Sequence, residues 1–301
     1  MPNKPKYIVG LGELLFDIID NTTILGGAPV NFAIQSHQIL RAHGYRGAAA
    51  VRVGNDELAT RAINELQGLG LATEFIQHDR QRPTGTAIVH REGNDHRFEI
   101  VEQVCWDHFH WDQQLEQLCN NTAVICFGTL GQRSPASRET VRRFVENAKQ
   151  ALRVFDVNIR QHYYDDDSIR HGCQNADILK LNNEEVSLVA SALGVPAQHN
   201  NLQTCQLIQT RTNLQYVVYT QGALGTAMIS ANEITTGSPV TFPAVENADA
   251  VGAGDACTAG IIAGILLKLT PQKTVALANT LGAFVASQAG ATPALPTQIL
   301  P

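Results

Sequence analysis

The chain has 301 residues, of which 44% are hydrophobic and 6% aromatic, and its formal net charge is −6 at pH 7. The apolar fraction excludes a disordered chain. The acidic balance argues against a sequence-independent grip on nucleic acid, which needs a surplus of lysine and arginine. Six scattered cysteines without a Cys-x-x-Cys pair indicate free, buried thiols in a reducing compartment.

The N-terminus shows no sign of secretion. Residues 1–6 lead straight into a strand-like run, without an apolar h-region or a cleavage site. The most apolar helix candidate, at 256–269, is shorter than the roughly 20 residues that cross a bilayer. We therefore expect a cytoplasmic protein with no membrane partner.

Strand-like and helix-like segments alternate along the chain. Apolar runs that predict strands lie at 7–10, 48–54, 124–128, 153–157, 178–181 and 217–220. Stretches with a helical pattern lie at 28–41, 56–69, 137–152, 168–175, 183–193 and 256–269. This alternation predicts βαβ units and a mainly parallel sheet.

One region departs from the alternation. Residues 84–90 alternate between apolar and polar, 92–95 have turn composition, and 97–101 form a second short run. This pattern predicts a β-hairpin. In a parallel α/β domain, such a hairpin is either an extension of the sheet edge or a lid over a site.

Polar residues or glycines follow most of the predicted strands. Ligands of parallel sheets bind beyond the carboxyl ends of the strands. The candidates at these positions are Asp17, Gly128, Asn158, Arg160, Asn182, Gly222 and the loop 249–255.

The loop 249–255 is the sharpest of these candidates, because a turn of small residues runs into an apolar helix. Free N–H groups and the helix dipole make a helix N-terminus an anion site, and Gly252 and Gly254 permit close backbone approach. Asp255 at this place suits a general base for an incoming hydroxyl, and its reference pKa of ~3.9 keeps it ionised at neutral pH. From the segment alone, a helix cap explains Asp255 equally well.

A second candidate combines Asp17 with the glycine pair Gly26–Gly27 and Asn31. Carboxylate and amide groups suit sugar hydroxyls, because each hydroxyl both donates and accepts hydrogen bonds. Taken alone, a tight turn in which Pro29 starts a helix explains the run 26–31 better.

Two further turns are candidates for binding a nucleotide. Thr220, Gly222 and Gly225 form a glycine turn after a strand, which is a weak signal in isolation. Asn182 and Glu185 lie three residues apart at a helix start and can face one way. A carboxylate near ATP phosphates needs a metal between them, so this pair is interpreted as a water-mediated Mg²⁺ anchor. By itself, an Asn cap with a capping-box glutamate is the better explanation.

Other cofactor motifs are absent or incomplete. The chain has no Walker A loop, and the run 10–15 carries Leu15 where a dinucleotide fingerprint needs its third glycine. The run 105–110 has metal-like residues but no second ligand cluster at zinc spacing. Nicotinamide and zinc sites are therefore minor alternatives.

Taken together and in this order, the motifs resemble the PfkB, or ribokinase-like, sugar kinases over residues 12–296. The run 26–31 is similar to the family's N-terminal signature and 249–260 to its C-terminal one, with the 182–185 and 220–225 motifs between them. The resemblance implies one domain over residues 1–301, built as a three-layer α/β/α sandwich with a small β lid. The lid segments would be approximately 12–24 and 84–104, and in this family the lid often also forms a homodimer.

The resemblance also implies a role for individual residues. Asp255 would be the catalytic base, and the backbone N–H groups of Gly252, Ala253 and Gly254 would form the anion hole. The sugar would be bound by Asp17, Gly26, Gly27, Asn31, Arg160 and Asp255. ATP would be bound by Asn182, Thr220, Gly222, Gly225, Gly254 and Asn279, with Mg²⁺ held through water by Asn182 and Glu185. K⁺ would be held mostly by backbone carbonyls of Asp249, Val251, Val285, Gln288, Gly290 and Ala294.

Within the family, the runs 12–17, 26–31 and 156–160 look most like bacterial fructokinases, which implies phosphorylation of fructose to fructose 6-phosphate. The 2-keto-3-deoxygluconate kinases share an Asn-x-Arg run of the kind at 158–160 and are the nearest alternative. The run 126–133 fits the fructokinase pattern only loosely. A non-catalytic sugar or nucleotide sensor on the same fold is the alternative of another class.

Overall fold

The computed structural model describes residues 6–19, 22–92, 95–196 and 198–301. In these ranges the strands are β1 Lys6–Leu11, β2 Leu15–Ile19, β3 Thr22–Gly26, β4 Tyr45–Ala50, β5 Arg52–Val53, β6 Gln77–His78, β7 Gly85–Glu92, β8 Asp95–Ile100, β9 Thr122–Phe127, β10 Leu152–Asp156, β11 Ile178–Asn182, β12 Tyr216–Thr220, β13 Thr226–Ile229 and β14 Ile234–Thr236. The helices are α1 Ala28–Leu40, α2 Glu57–Gly68, α3 Gln113–Cys119, α4 Pro135–Asn147, α5 Asp166–Asn175, α6 Glu185–Leu193, α7 Asn201–Thr212, α8 Ala253–Leu266 and α9 Pro271–Ala286.

The main sheet has eight strands in the order β14-β13-β12-β11-β10-β9-β1-β4. The six strands from β12 to β4 are parallel, and β13 and β14 add an antiparallel edge. Because side chains of a strand point alternately to opposite faces, successive residues enter different cores. Phe155 and Leu179 pack with α3 to α7, whereas Val154 and Ile178 pack with α1, α8 and α9. The predicted three-layer α/β/α sandwich is confirmed.

A second, small sheet has the order β3-β2-β7-β8, with β2 parallel to β7 and antiparallel pairs on either side. The chain enters it directly after β1, through residues 12–14. Strands β7 and β8 form the predicted hairpin, whose turn residues Gly93 and Asn94 lie outside the described residues. The inner face of the sheet packs on Trp106 and Leu130, so the small sheet borders the carboxyl ends of the main strands.

Some predicted boundaries are wrong. The helix expected over 137–152 ends at Asn147, because Ala148 leaves the helical region (φ −80°, ψ 52°) and Leu152 begins β10. Its true start is set by Pro135 and by Ser134, whose hydroxyl accepts a hydrogen bond from the N–H of Ser137. The strand expected over 48–54 is divided into β4 and β5.

All six cysteines are buried free thiols. Within the described residues, no helix combines the length and the apolar character that a membrane span needs.

Candidate active site

A small pocket lies at the carboxyl ends of β1, β9 and β10, where parallel sheets bind ligands. The N-terminal ends of α1 and α8 close its other side. Its walls are formed by Glu13, Ala28, Pro29, Cys126, Phe127, Gly128, Thr129, Leu130, Asp156, Asn158 and Asp255.

Asp255 is the third residue of α8, and only 9% of it is exposed. Its Oδ2 accepts a hydrogen bond of 2.9 Å from Nδ2 of Asn31, a residue of α1 that is 224 positions away in the chain. The N-cap residue of α8 is Gly252, so no side chain caps the start of this helix. The carboxylate therefore contacts α1 and the pocket instead of capping its own helix.

Burial, and after it the nearby carboxylate of Asp156, raises the pKa of Asp255 from 3.8 to about 6. The hydrogen bond from Asn31 and the positive charges of Lys180 and Arg160 oppose this shift. The group is thus ionised at neutral pH but holds a proton far more readily than an exposed aspartate. These are the properties of a general base that works near pH 7.

The turn before α8 can cradle an anion. Gly252 has a φ of 76°, and a Cβ atom there would come within 2.3 Å of the carbonyl oxygen of Ala291. The backbone of Ala291 is in turn fixed by Nε2 of Gln35, which donates to the same oxygen at 3.0 Å. The N–H of Ala253 donates at 3.3 Å to the carbonyl of Ala250. First-turn N–H groups lack intrahelical partners, so this turn presents donors and a positive dipole end.

A buried ion pair lies directly behind the cradle. Lys180 Nζ is 3.0 Å from Asp156 Oδ1, and the hydroxyl of Thr258 donates at 3.1 Å to the other oxygen of Asp156. A Cβ atom on Gly254 would lie 3.2 Å from Lys180 Nζ. Burial acts to lower the pKa of Lys180, but Asp156 raises it above its ordinary value, so the lysine stays charged. Sequence analysis gave Lys180 no role, although a lysine inside an apolar strand run is itself a signal.

Of the predicted sugar-binding residues, only Asp255 lines the pocket, and the others lie outside its lining. In the small sheet Asp17 pairs with Ile24 and Leu15 with Gly26. The side chain of Asp17 reaches Gly26, where a Cβ atom would lie 2.8 Å from Asp17 Oδ2. Gly27 precedes α1 with a φ of 106°. Burial raises the pKa of Asp17 to about 6, although the positive charge of Arg160 acts to lower it. Arg160 is exposed, and its charge also acts on Asp255.

Glu13 is a pocket residue for which sequence analysis proposed no role. Its exposed fraction is 3%, and its Oε2 has no hydrogen-bond partner among the residues that the structure describes. The signal that could have found it is its place directly after β1, at the edge where ligands bind.

The predicted nucleotide residues gather at the ends of β11 and β12. Thr220 pairs with Asn182 in the sheet, and Gly222 and Gly225 have φ values of 57° and 93°. Asn279 lies against Gly225 and donates from Nδ2 to the carbonyl of Ser238 at 2.9 Å. Its Oδ1 is buried and accepts no hydrogen bond within the described part of the chain.

Asn182 and Glu185 form a reciprocal cap on α6. Oδ1 of Asn182 accepts from the N–H groups of Glu184 and Glu185, and Oε2 of Glu185 accepts from the N–H of Asn182 at 2.9 Å. Oε1 of Glu185 accepts from the N–H of Ile159 at 2.8 Å. Each carboxylate oxygen keeps further lone pairs for water, which is the mode predicted for Mg²⁺. In the described ranges, no group of three or more His, Cys, Asp or Glu side chains could hold a metal directly.

The predicted K⁺ residues come from two segments that the structure joins. Asp249 accepts from the N–H of Val251 at 2.9 Å and from the N–H of Gly290 at 3.1 Å. Its own N–H donates to the carbonyl of Gln288 at 3.1 Å, and Val285 lies in the last turn of α9. Carbonyl and carboxylate oxygens of this kind are a donor set that suits K⁺ in type.

The profile of the pfkB family of carbohydrate kinases matches residues 9–298. The chain therefore belongs to this family. A fructokinase of Vibrio alginolyticus is 29% identical over an alignment of 312 positions, gaps included, which covers 95% of each chain.

Solved structures show the same fold. The fructokinase of Xylella fastidiosa with bound ATP aligns with a TM-score of 0.80 at 19% identity, covering 96% of this chain and 95% of the other. An Escherichia coli protein named after ribokinase, in complex with ATP and Mg²⁺, aligns with a TM-score of 0.79 at 21% identity, covering 96% and 94%.

Proposed function

We propose that the protein transfers the γ-phosphoryl group of ATP to a primary hydroxyl of a small sugar, with fructose converted to fructose 6-phosphate. One observation carries this proposal. The buried carboxylate of Asp255 lies in an open pocket, beside backbone N–H groups that suit a phosphate, and its raised pKa suits proton transfer near neutral pH.

In the proposed reaction the sugar hydroxyl approaches Asp255 while the phosphoryl group rests on the N–H groups of Gly252 and Gly254. The N–H of Ala253 joins them by exchanging its 3.3 Å hydrogen bond to the carbonyl of Ala250 for one to the phosphoryl group. The transition state of phosphoryl transfer is loose, so Asp255 receives the proton late. The ammonium group of Lys180, which is paired with Asp156, lies against Gly254 and supports the turn from behind.

We assign the sugar hydroxyls to Asp17, Asn31 and Arg160, with the backbone at Gly26 and Gly27 giving room. The fructokinase relative supports fructose as acceptor. Arg160 also suits the carboxylate of 2-keto-3-deoxygluconate, so a kinase of that sugar acid is the second candidate.

ATP is assigned to Thr220, Gly222, Gly225 and Asn279, which line the ends of β11 and β12. The related structures with ATP and Mg²⁺ support both cofactors. Asn182 and Glu185 would hold Mg²⁺ through water, where it would neutralise phosphate charge. K⁺ would bind beside Asp249, and Ala294 is the last residue along the chain that is assigned to this site. We also propose that the protein is a cytoplasmic homodimer, formed through the small sheet.

Replacement Asp255→Asn tests the assigned base. We expect kcat to fall by at least about 10²-fold, because a general base is lost, while the KM for ATP changes little. Steady-state measurement of ADP release in wild type and variant checks this. Turnover near that of the wild type would refute the role of Asp255.

A panel of neutral sugars and sugar acids tests the function itself. The kinase releases ADP only when its sugar is present, whereas a non-catalytic sensor binds a sugar without releasing ADP. Fructose and 2-keto-3-deoxygluconate are the two acceptors that the panel must contain.

A further inference from the structure

Glu13 is a buried carboxyl group to which the proposed reaction gives no task. It lies in the segment between β1 and β2, lines the pocket together with Asp255, and has an exposed fraction of 3%. In the part of the chain that is described, its Oε2 has no hydrogen-bond partner. A buried polar atom without a partner is costly and rare, so this oxygen is expected to meet a ligand.

Two glycines hold Glu13 at the wall of the pocket. A Cβ atom on Gly131 would lie 2.9 Å from Oε2 of Glu13, and one on Gly27 would lie 2.7 Å from its carbonyl oxygen. Any side chain at either position would displace Glu13. The backbone around the pocket is thus shaped to admit this carboxyl group.

Charged groups from three neighbouring elements act on Glu13. Burial, and to a smaller extent the carboxylate of Asp255 on α8, raises its pKa from 4.5 to about 7. Its own backbone N–H, Arg160 after β10 and Arg133 before α4 oppose the shift. Arg133 is already paired with Asp107 at 2.7 Å, so its charge is largely neutralised.

The charges around the pocket are unbalanced towards negative. Glu13, Asp17 and Asp255 all have raised pKa values, because burial weakens their hydration. Lys180 is paired with its own carboxylate, which leaves Arg160 as a cation that acts on all three. A further negative charge brought by a ligand would be repelled.

Resting on the kinase function proposed above, we infer that Glu13 is a further substrate-binding residue of an uncharged sugar. Its Oε2 accepts a hydrogen bond from a sugar hydroxyl other than the one that approaches Asp255, and its negative charge disfavours sugar acids. A polyol satisfies the unpaired oxygen, whereas a carboxylate offers it no donor.

The test is run at about pH 8, where Glu13, with a pKa of about 7, is mostly ionised. It compares wild type with Glu13→Gln, which keeps the size of the side chain and removes its charge. We expect the KM for fructose to rise about 10- to 100-fold, the range for a hydrogen bond to a charged group, while the KM for ATP stays within about twofold. The preference for fructose over 2-keto-3-deoxygluconate should shrink. Glu116→Gln, the same change on the exposed face of α3, is the matched control and should alter neither value.

Fructose binding by calorimetry, without ATP, separates this inference from the kinase function. Unchanged fructose affinity and unchanged preference in Glu13→Gln overturn the role of Glu13 alone. Fructose binding without ADP release overturns the kinase function, and the binding comparison still decides on Glu13. A wild type that neither binds nor phosphorylates a neutral sugar overturns both. If Glu13→Gln does not fold, the kcat/KM values of the wild type for the two acceptors provide the test. A higher kcat/KM for the sugar acid than for fructose contradicts the inference.

Discussion

At the scale of single residues, the pocket is governed by carboxyl groups whose burial is only partly compensated. Asp255 and Glu13 have pKa values raised to about 6 and about 7, and both lie within reach of the same ligand. Such shifts are typical of functional sites, because a group buried for structural reasons alone is usually paired. The pair Lys180–Asp156 shows that alternative within the same site.

The pH dependence of kcat/KM should reveal the base. Asp255 must be ionised to accept a proton, so activity should fall as the pH drops through about 6. In Asn31→Ala the hydrogen bond that lowers this pKa is lost, and the acid limb should shift to higher pH. The midpoint of this acid limb reports an apparent pKa of Asp255 and Glu13 together, because the two neighbouring carboxyl groups influence each other's titration.

Asn147→Ala, a change on the exposed surface of α4, serves as the control and should leave the limb in place. Circular dichroism at each pH separates loss of activity from loss of fold. An acid limb that does not move in Asn31→Ala would contradict the predicted coupling between Asn31 and Asp255.

The sequence predicted some site residues and missed others for a physical reason. Asp255 and Asn31 were found because they stand in glycine-rich turns, whose composition is unusual in itself. Glu13 and Lys180 carry weaker signals, namely a place after a strand and a charge inside an apolar run, and a single sequence does not tell which of their neighbours are close in space. The capping bonds of Glu185 follow from local spacing, which sequence analysis had already weighed.

At the scale of elements, α8 carries the site, and its first turn depends on a close backbone contact. Gly252 is required twice, by its φ of 76° and by the carbonyl oxygen of Ala291, which a Cβ atom would approach to 2.3 Å. The glycine therefore fixes both the direction of α8 and the place of its free N–H groups.

Gly252→Ala should destabilise the protein by roughly 2 to 5 kcal/mol, from backbone strain and overpacking together, and should lower kcat. Gly194→Ala is the matched control, because Gly194 has a φ of 64° but nothing within 4 Å of a Cβ atom. It should cost only about 1 kcal/mol and leave kcat unchanged. Thermal unfolding and ADP release measure both, and equal effects of the two changes would contradict the role of the contact.

The elements with the strongest pattern were predicted, and those fixed by tertiary contacts were not. Parallel strands such as β11 are buried on both faces and read as continuous apolar runs. The edge strands β13 and β14 and the helix α7 gave no such pattern. The end of α4 was placed too late because the boundary is set by the return of the chain to β10, a non-local requirement.

At the scale of the whole molecule, one loop connects the small sheet with the pocket. The loop between β10 and α5 carries Arg160, whose charge acts on Glu13 and Asp255, and Tyr163 three residues later. The single O–H of Tyr163 lies within donating distance of Glu102 at 2.8 Å and of the carbonyl of Ile100 at 3.2 Å, just where β8 ends. Arg133 lies between the rings of Trp106 and Tyr163 and also donates to the carbonyl of Val101.

Tyr163→Phe should loosen this connection without a large loss of stability. Losing a hydrogen bond worth about 0.5–1.5 kcal/mol should raise the KM for the sugar several-fold and leave the KM for ATP unchanged. Tyr45→Phe, at the opposite end of the main sheet, provides the control. Steady-state kinetics with both substrates decide the matter, and a KM for sugar equal in all three proteins would show that the connection has no part in sugar binding.

The hydrogen bond between Asn31 and Asp255 joins residues that are 224 positions apart, and Gln35 reaches Ala291 across a similar distance. During translation α1 leaves the ribosome long before α8 has been synthesised. A nascent chain of that length contains Asn31 but lacks Asp255. Premature termination anywhere before α9 leaves a product without a complete phosphate cradle. Activity in a cell extract would therefore report only on chains whose synthesis has been finished.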